Sequence, residues 1–95
     1  MNKREFRFEW DKAKAAANVR KHRIGFDLAA TVFRDPQLLT IADLEHVEEE
    51  RWLSIGWASH GKILSVVYLW SESDPRATKI RLISARTATQ AEIRR

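Results

Sequence analysis

The stretch "TKIRLISARTAT", residues 78–89, decides how the chain is read. Ile80, Leu82 and Ile83 favour strands, and the two-residue spacing puts Ile80 and Leu82 on one face. Lys79 and Arg81 fall on the other face. At "SAR" the run changes character. The spacing predicts a short terminal helix over "ARTATQAEIRR", residues 85–95, capped by Thr87 or Thr89. Arg86 then lies just beyond the end of a strand that already presents two cations.

Working outward, "ILSVVYLW" (63–70) is near-continuously apolar and β-rich, which suits the central strand of a sheet. "SESDPRA" (71–77) reads as a loop between it and the last strand. Upstream, "RWLSIGWAS" (51–59) is a further strand, joined to the central one by a hairpin turn at "HGK" with Gly61. "LLTIAD" (38–43) is another, followed by the acidic, exposed connection "LEHVEEE" (44–50). The first third is different. "DKAKAAANVRKH" (11–22) is rich in the helix formers Ala and Lys, with Asp11 placed to cap it. Lys14, Asn18 and Lys21 share one face of that helix, and basic residues with His22 gather at its end, where positive charge is favoured. "RIG" breaks it. Gly25 caps a second helix, "FDLAATVF" (26–33), which buries Phe26, Ala29, Ala30 and Phe33 and ends at Asp35-Pro36. "EFRFEW" (5–10) alternates aromatic and charged residues, as a short amphipathic strand does. The order β-α-α-β-β-β-β-α predicts an α+β fold: a small single domain with a mainly antiparallel sheet, two N-terminal helices and a short C-terminal helix.

The 95 residues leave room for one core. A hydrophobic share of 44% with 32% charged suits a folded domain. The absence of cysteine excludes disulfides, thiol nucleophiles and cysteine metal sites, and fits a reducing compartment. The first residues, "MNKREFRFEW", contain no apolar core of signal-peptide length, and the longest apolar run is too short to span a bilayer. The expectation is a cytoplasmic protein with no membrane association. The net charge of +4 is unevenly spread. Residues 1–24 carry eight Lys/Arg against three Asp/Glu, residues 25–60 two against seven, and residues 61–95 seven against three. A polyanion is drawn to the two ends and repelled by the middle.

Few chemistries survive this inventory. His22, His46 and His60 show no ligand spacing, so no metal is expected, and three glycines form no phosphate-cradling loop. No cofactor is expected either. RNA cleavage asks for less, because the substrate supplies its own nucleophile, the 2′-hydroxyl. The protein must align that hydroxyl, accept its proton and offset charge on the phosphate. Arginine suits the last task because its planar fork holds two oxygens and stays ionised. Arg51, Arg81 and Arg86 are the candidates for phosphate, and His46 and Glu50 for proton transfer; Lys62 and Lys79 add positive charge. Each also has a plainer reading. Arg81 on an exposed strand face is most often solvated or paired, Lys62 is a turn residue, and Glu48 to Glu50 pair with Arg51. Trp10 and Trp52 suit the core or its rim, whereas Trp57 and Trp70 are candidates for base stacking or for anchoring a partner.

Four segments, "FEWDKAKAAANVRKH", "FDLAATVFRDP", "DLEHVEEERWLSIG" and "KIRLISARTATQAE", in this order and spacing, resemble the BrnT toxin family of type II toxin–antitoxin systems. The resemblance implies a RelE-like fold and an endoribonuclease that blocks translation. It also implies a co-encoded, DNA-binding antitoxin of the BrnA kind, through which operator DNA is bound. The polar residues it matches are Asn18, Lys21 and His22, then His46, Glu50 and Arg51, then Arg81, Ser84, Arg86 and Glu92. Of these, His46, Glu50, Arg51, Arg81 and Arg86 are expected to carry the chemistry, with Lys21, Lys62 and Lys79 binding RNA. The chain departs from the family pattern in places. Arg23 and Gly25 stand where Gly and then Ser are usual, Val47 replaces a common Ser, and "AEIRR" stops before a frequent terminal aromatic. The alternative reading is a toxin-like module that grips antitoxin or nucleic acid without cleaving.

Overall fold

The computed structural model describes residues 5–43 and 51–94. Its elements are β1 (Glu5–Glu9), α1 (Lys12–His22), α2 (Phe26–Ala30) continued by a 3-10 turn (Thr31–Arg34), β2 (Leu39–Ala42), β3 (Trp52–Trp57), β4 (Ile63–Asp74), β5 (Ala77–Thr87) and α3 (Gln90–Ile93). The strands form one sheet in the order β1-β5-β4-β3-β2, with the apolar β4 at its centre as its composition requires. The β2–β3, β3–β4 and β4–β5 pairs are antiparallel, while β1 runs parallel to β5 and makes the sheet mixed.

The sheet has one face covered by α1, α2 and the 3-10 turn. Phe26, Ala29 and Val32 from the helical segments meet Leu64, Val66, Tyr68, Ile80, Leu82 and Ala85 from the sheet, all buried. Phe8 and Phe33 extend this core with ring centroids 5.4 Å apart. A chain of hydroxyls crosses the same face: Ser54 Oγ lies 2.9 Å from Thr40 Oγ1 and 2.7 Å from Tyr68 Oη, so the buried polar atoms satisfy one another.

Two expectations change. The segment read as a loop after residue 70 is a tight hairpin: β4 runs on to Asp74, Pro75 and Arg76 turn the chain, and β5 starts at Ala77. Likewise the helix expected from residue 85 begins only at Gln90. Pairing of Ala85, Arg86 and Thr87 with Val66, Ser65 and Leu64 outweighs the local helix preference. Thr89 caps α3, and Thr87 ends β5.

Asn18 ties the helical layer to the sheet. Beyond Arg81, β5 has no β1 residue beside it. The buried Asn18 side chain fills that place. Its Nδ2 donates to the Ala85 and Ile24 carbonyls at 2.9 and 2.8 Å, and its Oδ1 accepts from the Ala85 N–H at 3.0 Å. One amide thus stands in for a strand. At the end of α1, Arg23 takes the left-handed conformation, with φ of 63° and its N–H bonded to the Val19 carbonyl. Glycine adopts that conformation without penalty, and an arginine does not.

Asn18→Ala strands three buried backbone groups and is expected to cost about 2–4 kcal/mol, a fall in Tm of roughly 10 °C or more by thermal denaturation. Arg23→Gly should raise stability by roughly 0.5 kcal/mol in urea unfolding, the strain relieved being partly offset by the looser unfolded chain.

Candidate functional site

The sheet's other face carries the candidate chemistry. Residues paired across strands share a face, so Leu53, Val67 and Leu69 lie with Arg81 on the side away from α1 and α2. Lys79 and Glu9 are there too. Arg51 precedes β3, and its carbonyl accepts from the Asp43 N–H at 2.8 Å, so the alternation continues through it to the same side. Arg51 and Arg81 then flank Leu69 from two neighbouring strands, with backbones about 10 Å apart by strand spacing.

Arg86 reaches this face because of a bulge. Val67 pairs with Ser84 and Tyr68 with Leu82, which leaves Ile83 as an extra residue in β5. Five positions separate Arg81 from Arg86, which in a regular strand would place them on opposite faces. The inserted Ile83 resets the alternation, and Arg86 pairs with Ser65 on the open side. All three predicted arginines therefore share one face.

Both β5 arginines are held by carboxylates. Arg81 Nη1 donates to Glu9 Oε2 at 2.8 Å, and Lys79 Nζ lies 3.7 Å from the other oxygen. The Arg81 bond, with Lys79 beside it, holds the Glu9 carboxyl below its usual range. Arg81 remains 44% exposed, with one of its five N–H groups bonded to Glu9. Arg86 is gripped more firmly. Its Nη1 and Nη2 donate to Glu92 Oε1 and Oε2 at 2.7 and 2.8 Å. Glu92 Oε1 also accepts from the Thr89 N–H at 2.8 Å, while Thr89 Oγ1 accepts from the Glu92 N–H at 3.2 Å. This capping box and the arginine fork use the same carboxylate, whose side chain is only 14% exposed. The Arg86 hydrogen bond lowers the Glu92 pKa to about 2 and raises that of Arg86. Glu92 is therefore an anion at neutral pH and a poor proton carrier there. The family resemblance gives Glu92 as a residue that pairs with a basic neighbour, and Arg86 is that neighbour; the S/T-x-x-E spacing from Thr89 is the signal for its second task as a cap.

The remaining candidates are spread out. Lys79 stands beside Arg81, but Lys62 is in the β3–β4 turn and Lys21 is exposed on α1. His46 and Glu50 lie outside the described residues, as does Glu48. Asn18, buried between α1 and β5, is structural. Among the described residues no three His, Cys, Asp or Glu side chains gather into a metal-holding group, and no helix is long and apolar enough to cross a membrane. Trp10 rests edge-on against Phe26, and Trp52 against Trp70, with centroids 5.9 and 6.4 Å apart. Trp57 and Trp70, the candidates for stacking or anchoring, are both exposed, and Trp10, expected in the core or at its rim, is exposed as well.

The depressed pKa of Glu92 stabilises the fold above its unfolded value of about 4.5, and that contribution is lost as pH falls towards 2. Glu92→Gln should therefore lower stability at pH 7 by on the order of 1–2 kcal/mol, with Arg86 partly solvated. Denaturation at pH 7 and at pH 3 should show the gap between variant and wild type shrinking at the lower pH.

Residues 10–92 match the family model described as the ribonuclease toxin BrnT of type II toxin–antitoxin systems. Among solved structures, the crystal structure of the ribonuclease toxin BrnT from Brucella abortus is similar, with a TM-score of 0.63 and 24% identity over 90% of this chain and 99% of that one. That likeness concerns the fold. No curated protein matches the sequence. The family model spans the capped first helix, the bulged strand and the Glu92 clamp, and on that match this chain belongs to the BrnT family of ribonuclease toxins.

Proposed function

We propose that the chain is a single-domain, metal-independent endoribonuclease toxin that cleaves mRNA and so inhibits translation in the cytoplasm, in the manner of RelE-type toxins. The antitoxin that a type II system implies is, in this reading, a BrnA-like DNA-binding protein encoded beside it, and operator DNA is met only through their complex. The observation that carries the enzymatic part is the convergence of Arg51, Arg81 and Arg86 on the sheet face away from α1 and α2.

The chemistry follows from that geometry. The RNA 2′-oxygen attacks the adjacent phosphorus, the bond from phosphorus to the 5′-oxygen breaks, and a 2′,3′-cyclic phosphate and a 5′-hydroxyl result. A proton leaves the attacking oxygen and one reaches the departing oxygen, with His46 or Glu50 as its carrier. Charge builds on the non-bridging phosphate oxygens, and Arg81 meets it with the N–H groups not spent on Glu9. Arg86 offers its Nε–H and the second Nη2–H, while Glu92 and the Thr87 carbonyl hold the other N–H groups and fix the plane of the guanidinium. A cation mounted on a paired strand needs little reorganisation when that charge develops. The carboxylates already on both forks favour a second reading, a module that holds RNA or antitoxin without cleaving.

Purified protein incubated with mRNA in EDTA at pH 7 should yield fragments with 5′-hydroxyl ends. Arg81→Ala and Arg86→Ala should each slow cleavage by roughly 100-fold, with Arg81→Ala keeping its Tm. RNA that is bound in a salt-sensitive way and stays intact, with or without ribosomes, would establish the module reading instead.

A further inference from the structure

Trp57 stands apart from the other tryptophans. The residue is 54% exposed and its ring makes no contact with another aromatic ring among the described residues. Its backbone, however, is fixed. Asp35 Oδ2 accepts the Trp57 N–H at 2.9 Å, and Asp35 Oδ1 accepts the Gln37 N–H at the same distance. These bonds lower the Asp35 pKa and tie the turn before β2 to the end of β3. The indole is thus an exposed ring on a rigid mount.

It borders a crevice of about 270 Å³ at the α3 end of the open face. Ile55 and Ile63 line the crevice from the sheet, Gln37 and Asp35 from the turn, and Glu92 and Ile93 from α3. That volume is below the roughly 300–1,000 Å³ of sites for drug-sized ligands and suits one planar ring system. Glu92 joins the crevice to the candidate chemistry, because the same side chain that lines it holds Arg86 at 2.7 Å. Trp70 offers no such setting. It is on the helix-covered face, in an apolar groove with Phe6, Phe33, Trp52 and Tyr68 and no charged residue in its lining.

We infer that this crevice is a base-binding subsite: an unpaired RNA base stacks on Trp57 while its phosphate reaches Arg86. This rests on the ribonuclease reading and adds a determinant of which base is taken. The two carboxylates in the lining repel phosphate, so the backbone stays on the arginine side and the uncharged base enters. Each Asp35 oxygen, bonded once to backbone, keeps further acceptor capacity. The Gln37 amide can both donate and accept. An acceptor-rich lining favours bases with an exocyclic amino group, so adenine, cytosine and guanine are held better than uracil.

The test uses RNA octamers made uncleavable by 2′-deoxy substitution, with binding read by tryptophan fluorescence and cleavage sites mapped on the matching all-RNA strands. Trp57→Ala should weaken binding roughly 10-fold and flatten the base preference at the cut, whereas Trp57→Phe stays within about threefold of wild type. Quenching by RNA should be largely lost in Trp57→Phe, which identifies the stacked ring even if Trp57→Ala folds poorly. If both variants bind and cut with wild-type affinity and preference, the subsite is refuted; so it is if Trp57→Ala weakens only the complex with antitoxin, which would make the ring a protein anchor. Trp57-dependent binding by a wild-type protein that never cleaves would uphold the subsite and reject the ribonuclease reading.

Discussion

One extra residue in the β4–β5 ladder governs the open face. Ile83 has no partner of its own on β4, and its insertion changes which side every later residue of β5 addresses. Without it, Arg86 would point into the helical layer and Ala85, now buried against the core, would face outward. The bulge lets one strand serve both demands: Ile80, Leu82 and Ala85 remain in the core, while Arg81 and Arg86 remain outside it. It also aims Arg86 at α3, where Glu92 waits as both helix cap and clamp.

The same stretch of β5 needs support from its other side, since β1 reaches only as far as Arg81. Asn18 supplies it from α1 with three buried hydrogen bonds. Removing one partner of a buried bond costs far more than the bond gains in net terms, so this amide is a structural constraint on the site. Rigidity is thereby given to the strand bearing the cations, and the exposed ion pairs around Arg81 can stay weak and exchangeable without loosening it.

Much of this was legible from sequence, for identifiable reasons. Asp11 and Gly25 marked helix starts, the unbroken apolar run of β4 marked the sheet centre, and the polar alternation around Arg81 marked an outward face. What escaped was non-local. A bulge leaves no sign in period-two spacing, so "SARTA" read as the start of a helix when pairing with β4 keeps it extended. The parallel pairing of β1 depends on a crossover through α1 and α2 that local patterns do not specify. The clamp on Arg86 needs α3 folded back over the sheet, so sequence could offer Glu92 a basic neighbour without saying which one. The match to the BrnT family agrees with the resemblance of the four sequence segments, and the positions of Arg51, Arg81 and Arg86 give that resemblance a geometry.

In the proposed reading, RNA is met on the bulged face of the sheet, the one away from α1 and α2. Titrating uncleavable RNA into isotope-labelled protein, and following both backbone amides and arginine Nε–H signals by NMR, tests it directly. The largest shifts should fall on Arg51, Arg81 and Arg86 and on Leu53, Val67 and Leu69 between them. Shifts confined to α1 around Lys21, or to the helix-covered face around Trp70, would contradict it.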